Sequence, residues 1–381
     1  MNQRLIKVTA FLAAAMITAA VPLTVQKNAW DGSTITAYAD GEEEFTEGSS
    51  GSLQYFKYSD RIEIAGIDMS ETTITIPSEI EGLPVTRIAD NVGTFCAVET
   101  LKLPDSLKQI GAYAFSWCSN LKSVTLPDSL ERIDFQAFEQ CSALESVTFP
   151  PHFVETSSYT FAETPWLEAQ RKNDPLVIVN GCVVDARTCK GDVTLPAGTK
   201  FIAGSAFANN TAVTSVTCPA SVTGMGENVF TGCENLTAAD LKGVTYIGYE
   251  TFYNCNKVKD IRLSGKLTEI NTLAFEENTA TATITFYGTE DAWNQVEKDP
   301  DDQFIKRATI VFDPNGGGSD DPVPGDINAD GQCNHEDAVL LFDWLLAKPD
   351  VTLANWEAGD IDGSGTLNAV DLSLLKQMLL A

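Results

Sequence analysis

From about residue 53 to 313, apolar and polar positions recur with a period of 22 or 23 residues. Ile88, Ile110, Ile133, Ile202, Met225, Ile247 and Ile270 hold one equivalent apolar position, and the single long interval, 69 residues from Ile133 to Ile202, is three periods of 23. Self-similarity at this length marks stacked repeats, because a unit this short buries its apolar face only against its neighbours. Each unit ends in a segment such as Leu121-Lys-Ser-Val-Thr-Leu-Pro127. Its alternation predicts a short strand with Val124 and Leu126 inward and Ser123 and Thr125 outward, broken at Pro127. Phe115, Phe138, Phe207, Phe230, Phe252 and Phe275 share a second repeat position and predict one interior ladder. Inside the long interval Thr156 and Phe161 keep the spacing. Val177-Ile-Val-Asn-Gly-Cys-Val-Val184 then predicts a hairpin turning at Asn180-Gly181. The interval therefore reads as one degenerate repeat plus a hairpin inserted near 176–185.

The pattern changes after the array. Residues 314–325, Pro-Asn-Gly-Gly-Gly-Ser-Asp-Asp-Pro-Val-Pro-Gly, predict a linker, flexible at first and stiffer where the prolines fall. Two similar acidic stretches follow, beginning at Asp326 and Asp360, 34 positions apart. Counted from the first Asp, oxygen-bearing side chains stand at positions 1, 3, 5, 9 and 12, with Gly331 or Gly365 at position 6. In the first loop they are Asp326, Asn328, Asp330, Asn334 and Asp337; in the second, Asp360, Asp362, Ser364, Asn368 and Asp371. Gln332 and Thr366, at position 7, are expected to ligate through their carbonyls. This spacing converges oxygens on a hard cation that takes six to eight of them, so two calcium ions are expected. Helices should leave the loops at about 335–347 and 368–381, with Val339, Leu340, Trp344, Leu345, Leu372, Leu375, Met378 and Leu379 as candidates for their packed core or binding face. Prolines upstream of Asp326 exclude an entering helix there.

Residues 326–381 resemble a type I dockerin, the calcium-dependent plug that docks into a cohesin module of a cellulosomal scaffoldin. The resemblance rests on both loops and both exiting helices. It implies partner contacts at loop positions 10 and 11 and helix positions 17 and 18: His335, Glu336, Phe342 and Asp343 in the first half, Ala369, Val370, Lys376 and Gln377 in the second. Because these halves differ in charge and size, one docking orientation is expected to dominate. The array, with its Ala-Phe-x-x-Cys core and Leu-Pro strand ends, resembles the BspA-like leucine-rich repeats of bacterial surface and secreted proteins. That likeness implies a solenoid of short parallel strands with turns and short helices, an opening unit at Thr73–Ile88, a closing cap over Ile284–Phe312, and an interaction role with no defined ligand.

Composition adds limits. With 25 basic against 53 acidic residues the formal charge is −28, which opposes nucleic acid and anionic membranes as partners. Arg4 and Lys7 before the apolar run Val8–Val25, with Ala37-Tyr38-Ala39 before Asp40, predict a signal peptide over 1–39, a secreted chain and no membrane insertion after cleavage. Residues 40–52, rich in Glu, Gly and Ser, read as a flexible leader.

Cys96, Cys118, Cys141, Cys233 and Cys255 share one repeat position, eight residues after the Ile or Met, and read as small buried fillers. A pairing of Cys182 with Cys189 stays open. The only histidines are His152 and His335, so zinc and triad chemistry have few candidates. The reading is therefore a non-catalytic cellulosome component supporting polysaccharide degradation, its solenoid presenting a protein- or glycan-binding face that includes Ser123, Thr125, Ser146, Thr148, Ser215, Thr217, Asp260 and Arg262. A glycoside hydrolase or peptidase hidden in the repeats, and a peptidase inhibitor, are the alternatives.

Overall fold

A computed structural model describes residues 44–314, 325–328, 333–346, 348, 351, 353, 356–362 and 366–379. The proposed signal peptide and most of the linker lie outside these residues, as do Asp330, Gln332 and Ser364.

Each repeat contributes two strands to two parallel ladders. Strands of three to five residues, among them Ser123–Thr125 and Ser146–Thr148, or Val213–Thr217 and Ala238–Leu241, pair in parallel at the predicted Val positions. Val124 is buried while Ser123, Thr125, Ser146 and Thr148 are exposed, and Ser215, Thr217 and Asp260 on the same face are half-buried. A second ladder of two-residue strands, such as Gln109–Ile110, Arg132–Ile133 and Glu155–Thr156, runs through the Ile positions. Alternation over two residues is too short to read as a strand, and its parallel partner lies a whole repeat away.

The turns between the ladders use left-handed backbone twice per coil. Three residues after the Ile stand Asn91, Tyr113, Gln136 and Asn228, and seven after it Phe95, Trp117, Gln140 and Asn254, all with φ between 54° and 63°. Bulky residues avoid this region. Here each donates its N–H to the next coil, as in Tyr113 N to Phe135 O at 2.9 Å and Trp117 N to Glu139 O at 2.8 Å. Buried backbone donors must be paired, so stacking fixes a conformation that the local sequence does not favour.

The expected single phenylalanine ladder is two ladders. Phe115, Phe138 and Phe161 stack at successive centroid distances of 5.6 Å. Phe207, Phe230, Phe252 and Phe275 form the other at 5.3 Å, and Phe304 closes it at 4.4 Å. Between them the coil is rebuilt by the helix Pro165–Asn173, capped by Thr164, and by the hairpin. Val177–Val179 pairs antiparallel with Cys182–Asp185, turning through Asn180 and Gly181 at φ 48° and 83°. This hairpin is not an insertion, because Cys182 and Val183 pair in parallel with Phe201 and Ile202. Val183 and Ile202 are thus successive rungs. Thr156, which ends the preceding ladder, meets the hairpin through its Oγ1, 3.1 Å from Cys182 Sγ. Unequal steps of 27 and 19 residues conceal the register. Arg171 of the helix donates from Nε and Nη2 to the two oxygens of buried Asp185 at 2.9 and 2.8 Å, and Arg187 adds a third bond at 2.6 Å.

One end differs from expectation and the other follows it. Thr46–Ser50 pairs antiparallel with Leu53–Lys57, which pairs with Ile62–Ile67. Part of the predicted leader is therefore a strand, and backbone pairing outweighs its Gly- and Ser-rich composition. At the other end Thr309–Phe312 adds in parallel to Thr283–Tyr287, with buried Trp293 and Phe304 on two short helices between them. Among the described residues no helix is long and apolar enough to cross a membrane.

Candidate functional site

Both acidic loops run into helices, His335–Leu345 and Ala369–Met378. Asn334 and Asn368 cap them: Asn334 Oδ1 accepts from Glu336 N and Asn368 Oδ1 from Val370 N, each at 2.7 Å. Asp337 and Asp371 complete capping boxes by accepting from Asn334 N at 2.8 Å and Asn368 N at 2.9 Å. Positions 9 and 12 of the calcium spacing are therefore also the N-cap and N3 of the exiting helices. An Asn whose oxygen caps a helix suits position 9, where calcium loops often ligate through water.

Asp337 also accepts from Ile327 N at 2.8 Å and Asn328 N at 3.0 Å, and Asp371 from Asp362 N at 3.3 Å, tying each loop's start to its end. Both carboxylates are fully buried. A buried carboxylate in its charged form needs nearby positive charge, which a divalent cation held in the loop would supply. In the second loop the oxygens of Asp360, Asp362 and Asp371 lie within 4.8 Å of one another. A calcium shell with bonds of about 2.4 Å holds its ligand oxygens no more than about 4.8 Å apart. The donor set fits calcium. Asp326 of the first loop is buried and Asn328 and Asn334 are half-buried beside Asp337; Thr366 is exposed beside the second loop.

Gly325 N donates to Ala358 O at 2.7 Å, linking the start of the first loop to the short helix Trp356–Gly359 before the second. That short helix was not foreseen from sequence. Gly325 sits at φ 91°, and a Cβ there would collide with Leu375 Cδ1 and Cys333 Sγ. The module's core is small: Ile327, Ala338, Leu341, Leu372 and Leu375. Of the candidates for packed core or binding face, Leu372 and Leu375 are buried, and Val339, Trp344 and Met378 are exposed. The spacing 338, 341, 345 marks the inward face of the first helix, and Ile327 and Ile361 recur at loop position 2, signals that the sequence reading passed over.

The proposed partner residues lie on the surface. His335, Glu336, Phe342, Ala369, Val370, Lys376 and Gln377 are exposed; Asp343 is half-buried and pairs with Lys348 at 2.6 Å. Residues from both halves meet in one groove of about 390 Å³, lined by His335, Ala338, Val339, Phe342, Lys376 and Leu379. The Lys376 ammonium stands 5.7 Å from the Phe342 ring centroid.

Six copies of the BspA type leucine rich repeat region match residues 67–175 and 187–295. The chain belongs to the BspA type leucine-rich repeat family. Residues 324–380 match the dockerin type I domain, so this BspA-type protein carries a C-terminal dockerin, a domain that binds calcium. Neither domain is catalytic, and no enzymatic family is indicated. Among solved structures, the chain is similar to the leucine-rich repeat protein TpLRR of T. pallidum, at 21% identity over 63% of this chain and 86% of that one, TM-score 0.30. A leucine-rich cell surface protein of Faecalibacterium prausnitzii aligns at 19% identity over 67% and 98%, TM-score 0.28. The pneumococcal vaccine antigen PcpA aligns at 14% over 74% and 98%, TM-score 0.32. No curated protein matches the chain significantly.

Proposed function

We propose that this BspA-type protein is a secreted, non-catalytic component of a cellulosome-type assembly, in which its dockerin docks into a scaffoldin cohesin in a calcium-dependent way. The observation that carries this reading is the pairing of two calcium-spaced loops with two capped helices, seven of whose eight predicted contact residues are exposed. Two ions are bound. Asp326, Asn328, Asp330, Gln332, Asn334 and Asp337 hold one, and Asp360, Asp362, Ser364, Thr366, Asn368 and Asp371 hold the other. The solenoid rides as cargo and offers a protein or glycan partner its polar strand face, supporting polysaccharide breakdown by neighbouring enzymes.

One docking orientation dominates, centred on Ala369 and Val370. Val370 is 52% exposed, and an apolar side chain left in water is a natural buried anchor. Calorimetric titration of the full chain against a panel of cohesins, with calcium and with a chelator, tests the reading. Saturable binding that vanishes on chelation is expected, and its absence across the panel would refute it. Changing Ala369 and Val370 together to Asp keeps acidic groups at a helix N-terminus, where they are tolerated, and should abolish binding while helicity persists. Equal loss from changes at His335 and Glu336 would show that both faces are used.

A further inference from the structure

The cysteine column of the solenoid has one irregular member. Cys118, Cys141, Cys233 and Cys255 each donate the thiol hydrogen to a carbonyl one coil back, Gly93, Phe115, Phe207 and Phe230, at 3.0–3.1 Å. Cys96 belongs to the first of these coils, and its sulfur instead lies 2.6 Å from Cys118 Sγ. Unbonded carbon atoms settle about 3.5–4.0 Å apart, whereas an S–S bond is about 2.05 Å. These two sulfurs are therefore closer to a bond than to a contact. The coils that carry them are one parallel-strand spacing apart, about 4.8 Å, inside the about 4.4–6.8 Å that a disulfide spans between Cα atoms.

We propose that Cys96 and Cys118 form a disulfide that staples the first two coils when the chain folds in an oxidising medium. The bond forms by exchange with a small-molecule or protein disulfide. One cysteine thiolate attacks that disulfide and releases one thiol; the second cysteine thiolate then attacks the mixed disulfide and releases the other. Two protein thiols are oxidised and one external disulfide is reduced to two thiols.

The bond must be made before the coils close. Both sulfurs are buried in the folded solenoid, Cys118 completely. Hydrogen bonding to the Cys141 thiol and burial push Cys118 up to about 12, although the hydrogen bond with Cys96 lowers it, and hydrogen bonding to Cys118 and then burial raise Cys96. Since the thiolate is the reacting species, burial and the raised thiol pKa values slow oxidation of the pair once the coils have closed. Cys233 and Cys255, which share the column but keep the thiol-to-carbonyl pattern, serve as internal controls.

The test is to refold the denatured full chain in a buffer of reduced and oxidised glutathione, then alkylate it in denaturant without reductant and map its peptides. The expected result is that Cys96 and Cys118 resist alkylation and appear as one peptide pair joining residues 96 and 118, which separates on reduction. Every other cysteine is alkylated. In a Cys96→Ala chain treated alike, all remaining cysteines react and no linked pair appears. Alkylation of both Cys96 and Cys118 in the parent chain, or a linked pair that joins either to another cysteine, overturns the proposal.

Discussion

Replacing Phe138 with Ala should destabilise the first half of the solenoid and leave the second nearly untouched. Phe138 is fully buried and stacked between Phe115 and Phe161, each centroid 5.6 Å away. A phenylalanine buries about 150–250 Å², and at about 25 cal/mol per Å² this is about 4–6 kcal/mol. Residual compactness of the unfolded chain lowers the figure, and the methyl group that remains lowers it again. A loss of about 3–5 kcal/mol results, in line with large-to-small core changes generally. That is a large share of the about 5–15 kcal/mol that stabilises a domain. The loss should stay local because the apolar core is in two clusters, one running from Leu53 to Val177 and the other from Cys182 to Phe304, with Val184 packed against both. In a stacked array each coil answers mainly to its neighbours. Native-state hydrogen exchange read by mass spectrometry should show protection falling across the coils from Cys96 to Leu167 and holding from Ile202 to Phe286. Equal loss of protection across both halves would refute the two-ladder reading, since it would mean that the coils unfold as one unit.

Three further outcomes follow from the same geometry. Asp185→Asn leaves Arg171 and Arg187 in a partly buried site without their shared carboxylate, and should cost about 3 kcal/mol in urea unfolding. Gly325→Ala forces a side chain into the space of Leu375 and Cys333 at a left-handed φ, and should lower the stability of the C-terminal module by about 1–3 kcal/mol, read as a lower melting temperature of its helical signal. Asp371→Ala removes both a predicted ligand and the N3 partner of the Asn368 cap. It should abolish calcium uptake by the second loop in calorimetry and weaken the helix by about 1 kcal/mol, while the first loop still binds.

How far the chain could be read in advance depended on whether a feature was carried by one coil or by the contact between coils. The inward Val124 and outward Ser123 and Thr125 follow from alternation within three residues, and the loop ligands follow from fixed spacing. By contrast, the left-handed positions that donate to the next coil hold Asn, Tyr, Gln, Phe, Trp and Ser in different coils, so no composition marks them. Their common cause is the N–H bond to the following coil, which exists only once the stack is built. The two-residue strands are hidden for the same reason.

The hairpin shows the same division in one element. Asn180-Gly181 announces the turn locally, yet nothing near it reveals that Val183 completes a rung with Ile202. Reading the hairpin as an insertion kept the count of periods correct and misassigned the residues that fill the third. The break in the phenylalanine column follows from this: the rebuilt coil places Trp166 against Phe161, at 4.8 Å between centroids, in place of another stacked phenylalanine. The solenoid thus changes its core side chain where it changes its repeat length. The Arg171–Asp185–Arg187 cluster fastens the helix to the hairpin at that point, so the seam adds polar pairing to the edge-on ring contacts of Phe161 with Trp166 and Phe153 with Phe201.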